Sequence, residues 1–527
     1  MKMISPKASW LSLSFVFLLP ILSSSASSAD TTTQGFFQCL STKINNSTQV
    51  VYTPASPSYL SILLFSIQNL RFSTPSTPKP LAIITPLHES HVQAAICCSR
   101  THNIEIRVRS GGHDYEGFSY VAKVPFAILD LFNLQSVSVN FEEKTVWVQA
   151  GATLGELYYN ILNKSRTLAF PAGSSPSIGV GGHISGGGYG VLLRKFGLAV
   201  DHVIDARIVD VNGKILDRKS MGEDVFWAIR GGGGASFGVI LAWKLNLVTV
   251  PEIVTFCRLN RTLENNATKL VHKWQTIADK VDENLFMRVF LRVENSGQVG
   301  VKTVDALFTT SFLGGIDGLL SLMGKVFPEL GLARGNCQEV RWIDAFLFYE
   351  GILVTSLEEL LNRTFIYKGN FKVKTDYVKT PLSESALEGL WERLKEEEVG
   401  VPFLELSPYG GKMSEISESA TPFPHRAGNI YQIEYRLLWT EGGERHMNWL
   451  RMLYKYMAPY VSKNPREAYI NYRDIDIGVN DDKTSYAGAS IWGKKYFKNN
   501  FNRLVHAKSL IDPNNFFKNE QSIPSVI

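Results

Sequence analysis

The chain has 527 residues, 45% hydrophobic and 20% charged, with 54 basic against 49 acidic side chains and a net charge of +5. That apolar content excludes a disordered chain, 42 glycines without a period exclude collagen, and five cysteines exclude a small disulfide-held scaffold. Charges of both signs are interspersed along the chain, so no nucleic-acid partner is expected.

Residues 1–29 read as a secretory signal, with Lys2 and Lys7 at the positive end, an apolar run from Trp10 to Leu22 broken by Pro20, and small residues around Ala26. The run is too short to cross ~30 Å of hydrocarbon. No later stretch is long enough either, so no membrane partner is expected after signal removal. The secretory route makes the sequons at Asn45, Asn46, Asn163, Asn260, Asn266 and Asn362 candidate glycosylation sites. It leads to the extracellular space (apoplast) or the vacuole, and it permits disulfides. A bridge from Cys39 to Cys97 or Cys98 would tie down the N-terminus, and spacing leaves that choice open.

Residues 30–80 form an N-terminal segment, whose 54–80 stretch, with Pro75, Pro78 and Pro80 bunched together, reads as a linker. From 81 to 251, short strands at 81–84, 104–108, 126–129, 145–150 and 205–209 alternate with helices and glycine runs, and Pro251 closes the segment. Residues 252–470 change character, with amphipathic helices at 270–279 and 387–397 and strands such as 286–293. Residues 471–527 return to helix over 487–510.

Four glycine runs carry the first chemical signal: Arg109-Ser-Gly-Gly-His113, Phe170-Pro-Ala-Gly173, Gly179 to Gly190, and Arg230-Gly-Gly-Gly-Gly234. Glycine lets backbone N–H groups crowd around an anion, and several runs together suit a large phosphate-bearing ligand. The Rossmann fingerprint is absent, and Gly488 to Lys495 only approaches a P-loop. Gly234-Ala-Ser236-Phe-Gly238 matches a nucleophile elbow, but the expected order is helix then strand, the reverse of what that motif requires. His88-Glu-Ser-His91 lacks zinc-helix spacing, and no metal is expected.

The segments Arg109 to Gly117, Gly181 to Gly190, Gly222 to Gly234 and Asn471-Tyr-Arg-Asp-Ile-Asp-Ile-Gly478 closely resemble the plant berberine bridge enzyme-like (reticuline oxidase-like) flavoproteins. Trp492 to Phe497 and Asp512 to Phe517 fit as well, so the likeness spans the mature chain. It implies an α+β fold of vanillyl-alcohol-oxidase, or PCMH, type. An FAD-binding domain would cover 81–251, an inserted α+β substrate-binding domain 252–470, and a C-terminal segment, 471–527, would complete the FAD domain. The resemblance further implies FAD as cofactor and a Cys39–Cys98 disulfide. His113 would be joined to the flavin 8α-methyl, with Arg109, Ser110, Gly111, Gly112, Gly173, Ser175, Gly181, Gly182 and His183 around the cofactor.

Many members of that family carry a second flavin link, a cysteine thioether in a Pro-Ala-Gly-x-Cys-Pro segment. Here Ser175 stands in the cysteine's place. A hydroxyl is far less acidic than a thiol of pKa about 8.5 and a poor nucleophile, so a single covalent link is expected. Ile178 occupies the family's oxygen-gate position, where Val or Ile looks oxidase-like and Leu dehydrogenase-like, which makes O2 the expected acceptor.

Residues 430–439 alternate as a strand, with Gln432, Glu434 and Arg436 on one face. That pattern suits either a solvated face or a carboxylate base held by a cation. The resemblance selects the second, with Glu434 at the place of the catalytic glutamate and Tyr115, Tyr189 and Tyr486 around the substrate. The implied reaction is proton removal by Glu434 coupled to hydride transfer to flavin N5 from an alkaloid-like amine or a phenolic. Rival readings are an FAD-retaining non-redox cyclase and a carbohydrate or alcohol oxidase. Gln432, where the alcohol- and sugar-oxidising branches carry Lys, points away from the last.

Overall fold

The computed structural model describes residues 24–298, 300–364, 367–396, 400–480 and 485–526. Most of the expected signal segment, and Glu397 at the end of an expected helix, lie outside them.

The N-terminal half builds two sheets. β1 (Val51–Tyr52), β2 (Ala82–Ile84), β3 (Glu105–Arg109) and β4 (Phe126–Asp130) order as β1-β2-β4-β3. β2 and β3 run parallel to β4, with helix Glu89–Thr101 crossing between them. All five residues of β4 are buried, as expected of a strand covered on both faces. Consecutive helix residues point about 100° apart, so on the crossover helix Cys98 faces the core and bonds Cys39, while Cys97 is free and half-buried. The stretch read as a linker is instead packed structure. Helix Tyr59–Phe65 buries Tyr59 and Leu63 against Tyr120, Phe126 and Ile128; its apolar residues outweigh the flanking prolines.

β5 (Val137–Asn140), β6 (Thr145–Gln149), β7 (Leu168–Ala169), β8 (Val203–Val209), β9 (Ile215–Leu216), β10 (Val239–Asn246) and β11 (Val248–Thr249) follow. Five of them form an antiparallel sheet, β5-β6-β10-β8-β9, and β7 pairs with β11. The helix expected over 487–510 is two, Tyr486–Phe497 and Phe501–Ile511. Lys498 between them has φ 49°, a left-handed conformation that no α-helix continues through. The second helix anchors the tail: buried Lys508 donates to Asp512 at 2.6 Å and to the carbonyls of Ser236 and Phe517 at 2.6 and 2.7 Å. Ser236 is buried here and accepts from the Ile523 N–H, and helix precedes strand around it, so the hydrolase decoy is a structural turn.

The third sheet has seven antiparallel strands in the order β15-β12-β14-β13-β17-β18-β16. They are β12 (Ile253–Thr262), β13 (Leu285–Asn295), β14 (Lys302–Phe312), β15 (Cys337–Arg341), β16 (Asn370–Val378), β17 (Val401–Pro408) and β18 (Tyr431–Trp439). A second disulfide, Cys257–Cys337, joins directly opposed residues of β12 and β15; an 80-residue separation gave sequence reading no cue to it. One face carries Val289, Leu406, Ile433 and Tyr435 into a core with helices Ala267–Ile277, Glu384–Leu394 and Gly443–Met457. The opposite face bears the charged residues and closes over a cavity.

Candidate active site

After β3 the chain turns through Ser110, Gly111 and Gly112 to His113. The turn requires glycine: Gly112 has φ 73°, and a Cβ on Gly111 would stand 2.3 Å from the Gly179 nitrogen. Ser110 Oγ donates to the Ala150 carbonyl at 2.6 Å. Facing this turn, helix Val180–Ser185 presents Gly181, Gly182 and His183, and His183 Nε2 accepts from the Gly173 N–H at 3.1 Å. These residues, with Ser175 and Ile178, border a cavity of about 540 Å³. That is the size range of enclosed ligand sites.

Arg109, expected beside the cofactor, is not on the cavity wall. It is the last residue of β3, and its side chain is held in the interior by its partners. It is fully buried and donates to Asp130 at 3.1 and 2.7 Å and to the carbonyls of Leu63 and Ile62 at 3.1 and 3.0 Å. Its task is to bolt the turn to helix Tyr59–Phe65. Tyr486 is likewise outside the cavity. It opens its helix, is 36% exposed, and donates its hydroxyl to Asn502.

The far wall is the charged face of the seven-stranded sheet, which presents Arg288 and Phe290 from β13, Phe403 and Glu405 from β17, and Glu434 and Arg436 from β18. The stretch 469–473 supplies Tyr469, Asn471, Tyr472 and Arg473; Asn471 donates to the His183 carbonyl at 2.9 Å. Tyr115 stacks on Tyr472 with ring centres 5.5 Å apart. The Tyr189 and Tyr472 hydroxyls lie 2.6 Å apart. The structure therefore gathers His113, Tyr115, Tyr189 and Glu434 in one cavity, and adds Tyr472, Glu405 and Arg288. Tyr472 lies inside a motif already legible in the sequence, next to the chosen ones. Glu405 and Arg288 sit on strands whose sequence carries no chemical cue.

Glu434 is 2% exposed. Arg436, two residues along the same strand face, donates from Nε to its Oε1 at 2.8 Å, holds Nη2 2.6 Å from the same oxygen as an ion pair, and donates from Nη2 to the Tyr115 hydroxyl at 3.1 Å. Oε2 has no hydrogen-bond partner among the described residues. Burial pushes the Glu434 carboxyl above the usual range, Arg436 pulls it back, and Glu405 pushes it up again. Burial holds His113 down to about 3, so its imidazole is neutral, with Nε2 3.1 Å from Ser177 Oγ. Tyr115, Tyr189 and Tyr472 are all raised by burial and remain protonated hydroxyls at neutral pH.

The walls fit a dinucleotide. Gly182 borders the cavity with nothing within 4 Å of where a Cβ would stand, leaving room for a ligand against the backbone. Arg473, which also borders the cavity, keeps a buried Nη1 without a partner among the described residues, a donor suited to a phosphate oxygen. Among the described residues no cluster could hold a metal ion, and no helix is long and apolar enough to cross a membrane.

Comparison with known proteins agrees with this geometry. A family model described as FAD binding domain matches residues 80–218, and one described as berberine and berberine like matches 468–524. The chain is 52% identical over 527 residues to tetrahydroberberine oxidase of Berberis wilsoniae, covering 99% of both chains. Among solved structures, BBE-like 28 from Arabidopsis thaliana superposes with a TM-score of 0.87 at 47% identity, covering 94% of this chain and 100% of that one. Phl p 4, a grass pollen allergen with glucose dehydrogenase activity, gives 0.88 at 44% identity, covering 93% and 100%. This chain is an FAD-binding oxidoreductase and belongs to the berberine bridge enzyme-like family.

Proposed function

We propose that the enzyme oxidises an alkaloid-like amine or a phenolic, with Glu434 as the base and molecular oxygen as the acceptor. The observation that carries this reading is the Glu434 carboxylate, buried at the cavity with one oxygen fixed by Arg436 and the other unpartnered. FAD, when bound, supplies the two-electron acceptor. Glu434 Oε2 takes the substrate proton, Arg436 fixes the carboxylate's direction, and the Tyr115, Tyr472, Phe290 and Phe403 rings exclude water around an aromatic substrate. Anaerobic mixing of the holoenzyme with tetrahydroberberine, and separately with glucose, tests the substrate class. Bleaching of the flavin by the amine supports the reading, and bleaching by glucose alone overturns it. Product formed while the flavin stays oxidised would establish the non-redox alternative.

His113 is the proposed single point of covalent attachment. A neutral imidazole is the form that can act as a nucleophile, and Ser175 borders the cavity without a thiol. After acid precipitation the colour should stay in the pellet on one peptide containing His113, and His113→Ala should release it to the supernatant. Flavin on two peptides would show that Ser175 does not exclude a second link.

A dehydrogenase is the specific rival for the acceptor, and Ile178 carries it. Wild-type Phl p 4 is described as a glucose dehydrogenase and its isoleucine-to-valine variant as a glucose oxidase. An isoleucine can thus keep oxygen from a flavin in this family. The reduced enzyme should reoxidise in aerated buffer, and faster by at least tenfold after Ile178→Val if Ile178 restricts oxygen access. Equal rates would free that residue of the role.

A secretory-pathway location, vacuolar or extracellular, is supported by the two disulfides. Asn45, Asn46, Asn163, Asn260, Asn266 and Asn362 are all exposed, as glycan acceptors must be.

A further inference from the structure

Glu405 of β17 lies directly across from Glu434 of β18, so both carboxylates leave the same sheet face. They are two buried carboxylates on adjacent strands, and each has its own arginine. Arg288 of β13 forms an ion pair with Glu405 Oε1 at 3.1 Å, and Arg436 holds Glu434. Arg288 is fixed among the rings of Tyr349, Phe286 and Phe290, with its guanidinium 5.1 to 5.6 Å from their centres. Ser407 Oγ and the Tyr189 hydroxyl donate to the Glu405 oxygen that faces Arg288, at 2.8 and 3.0 Å. Tyr189 in turn meets Tyr472, whose hydroxyl stands beside Glu434. The two tyrosine hydroxyls therefore lie between one carboxylate and the other.

We propose that Glu405 is a positioning residue that sets the basicity of Glu434. This rests on the reading of Glu434 as the base. An arginine alone beside a carboxylate makes it a weak base, because it favours the ionised form. A second carboxylate across the strand offsets Arg436 and brings Glu434 toward the pH at which a base both stays ionised and accepts a proton. The Tyr189–Tyr472 pair keeps the two carboxylates in register. The other charged and titratable groups facing this cluster are Tyr115 and His113 from the β3 turn, Tyr349 and Glu350 at the end of helix Trp342–Tyr349, and Arg436 on β18. Tyr115, His113 and Tyr349 are neutral and Arg436 is cationic at neutral pH, and Glu350 accepts from the Ser174 hydroxyl.

The experiment is a pH titration of the holoenzyme without substrate, following the infrared band of the protonated carboxyl that Glu434→Gln abolishes. In Glu405→Gln the midpoint of that band should fall by about one pH unit, since a like charge is removed and Arg288 is left uncompensated. Glu405→Asp, which keeps the charge, should restore it. Glu405→Ser repeats the charge removal with room for water beside Arg288 if Gln packs poorly. An unchanged midpoint in both neutral variants would overturn the proposal, even with lowered thermal stability, because a purely structural role predicts that result. Failure of the underlying reading shows separately, as anaerobic flavin reduction by tetrahydroberberine that survives Glu434→Gln at full rate.

Discussion

Glu434→Gln should retain the flavin and its colour while slowing anaerobic flavin reduction by about 10²–10⁴-fold, the usual contribution of a general base. Gln has the shape of Glu and keeps an oxygen for the Arg436 guanidinium, which now spans Tyr115 and Glu434. The cavity wall should therefore stand, and the loss reports the missing proton acceptor. The sign of the pH dependence follows from the raised carboxyl. The base must be ionised, so in the native enzyme the rate climbs with pH through that raised pKa and then levels. The variant should lose this limb. Stopped-flow reduction across pH checks both expectations, and a loss below tenfold would remove Glu434 from the chemistry.

The second large effect is on stability. Arg109→Leu should cost about 3–5 kcal/mol, because it leaves Asp130 as a buried charge without its partner. The carbonyls of Ile62 and Leu63 lose donors in the same step. Denaturant unfolding of the purified holoenzyme measures the loss. The double replacement Arg109→Leu Asp130→Leu should recover part of it, since removing both charges avoids the unpaired one. If the single variant is no less stable than the native protein, Arg109 is not the bolt described above. The flavin should also be held less firmly, because the turn that carries His113 would be released from helix Tyr59–Phe65.

Arg109 shows where sequence reading stops. A cation before Ser-Gly-Gly looks like a phosphate ligand, yet its direction is set by Asp130 and the carbonyls of Ile62 and Leu63, which only the folded chain brings to it. The glycine runs were legible because a cluster of glycines is itself a pattern within a few residues. The face of β18 was legible because a period of two is local as well. Glu405 became meaningful only through its register against Glu434, a pairing between strands set by the whole sheet. Tyr486 failed for a related reason: it begins a helix whose axis carries it to the surface. The Cys257–Cys337 bridge and the packed helix Tyr59–Phe65 were missed because their partners lie far along the chain.

The cavity's walls include widely separated stretches, among them the β3 turn, the seven-stranded sheet, and the segment from Tyr469 to Arg473. A polypeptide leaves the ribosome N-terminus first. His113 is therefore made more than 350 residues before the roof that encloses it. The tail is needed last of all, since Glu520 reaches back to Arg107 and Ile523 to Ser236. No nascent chain can present a closed chamber during synthesis, so assembly of the site is an event of the finished molecule. A truncation of even the final dozen residues would act on the first-made wall.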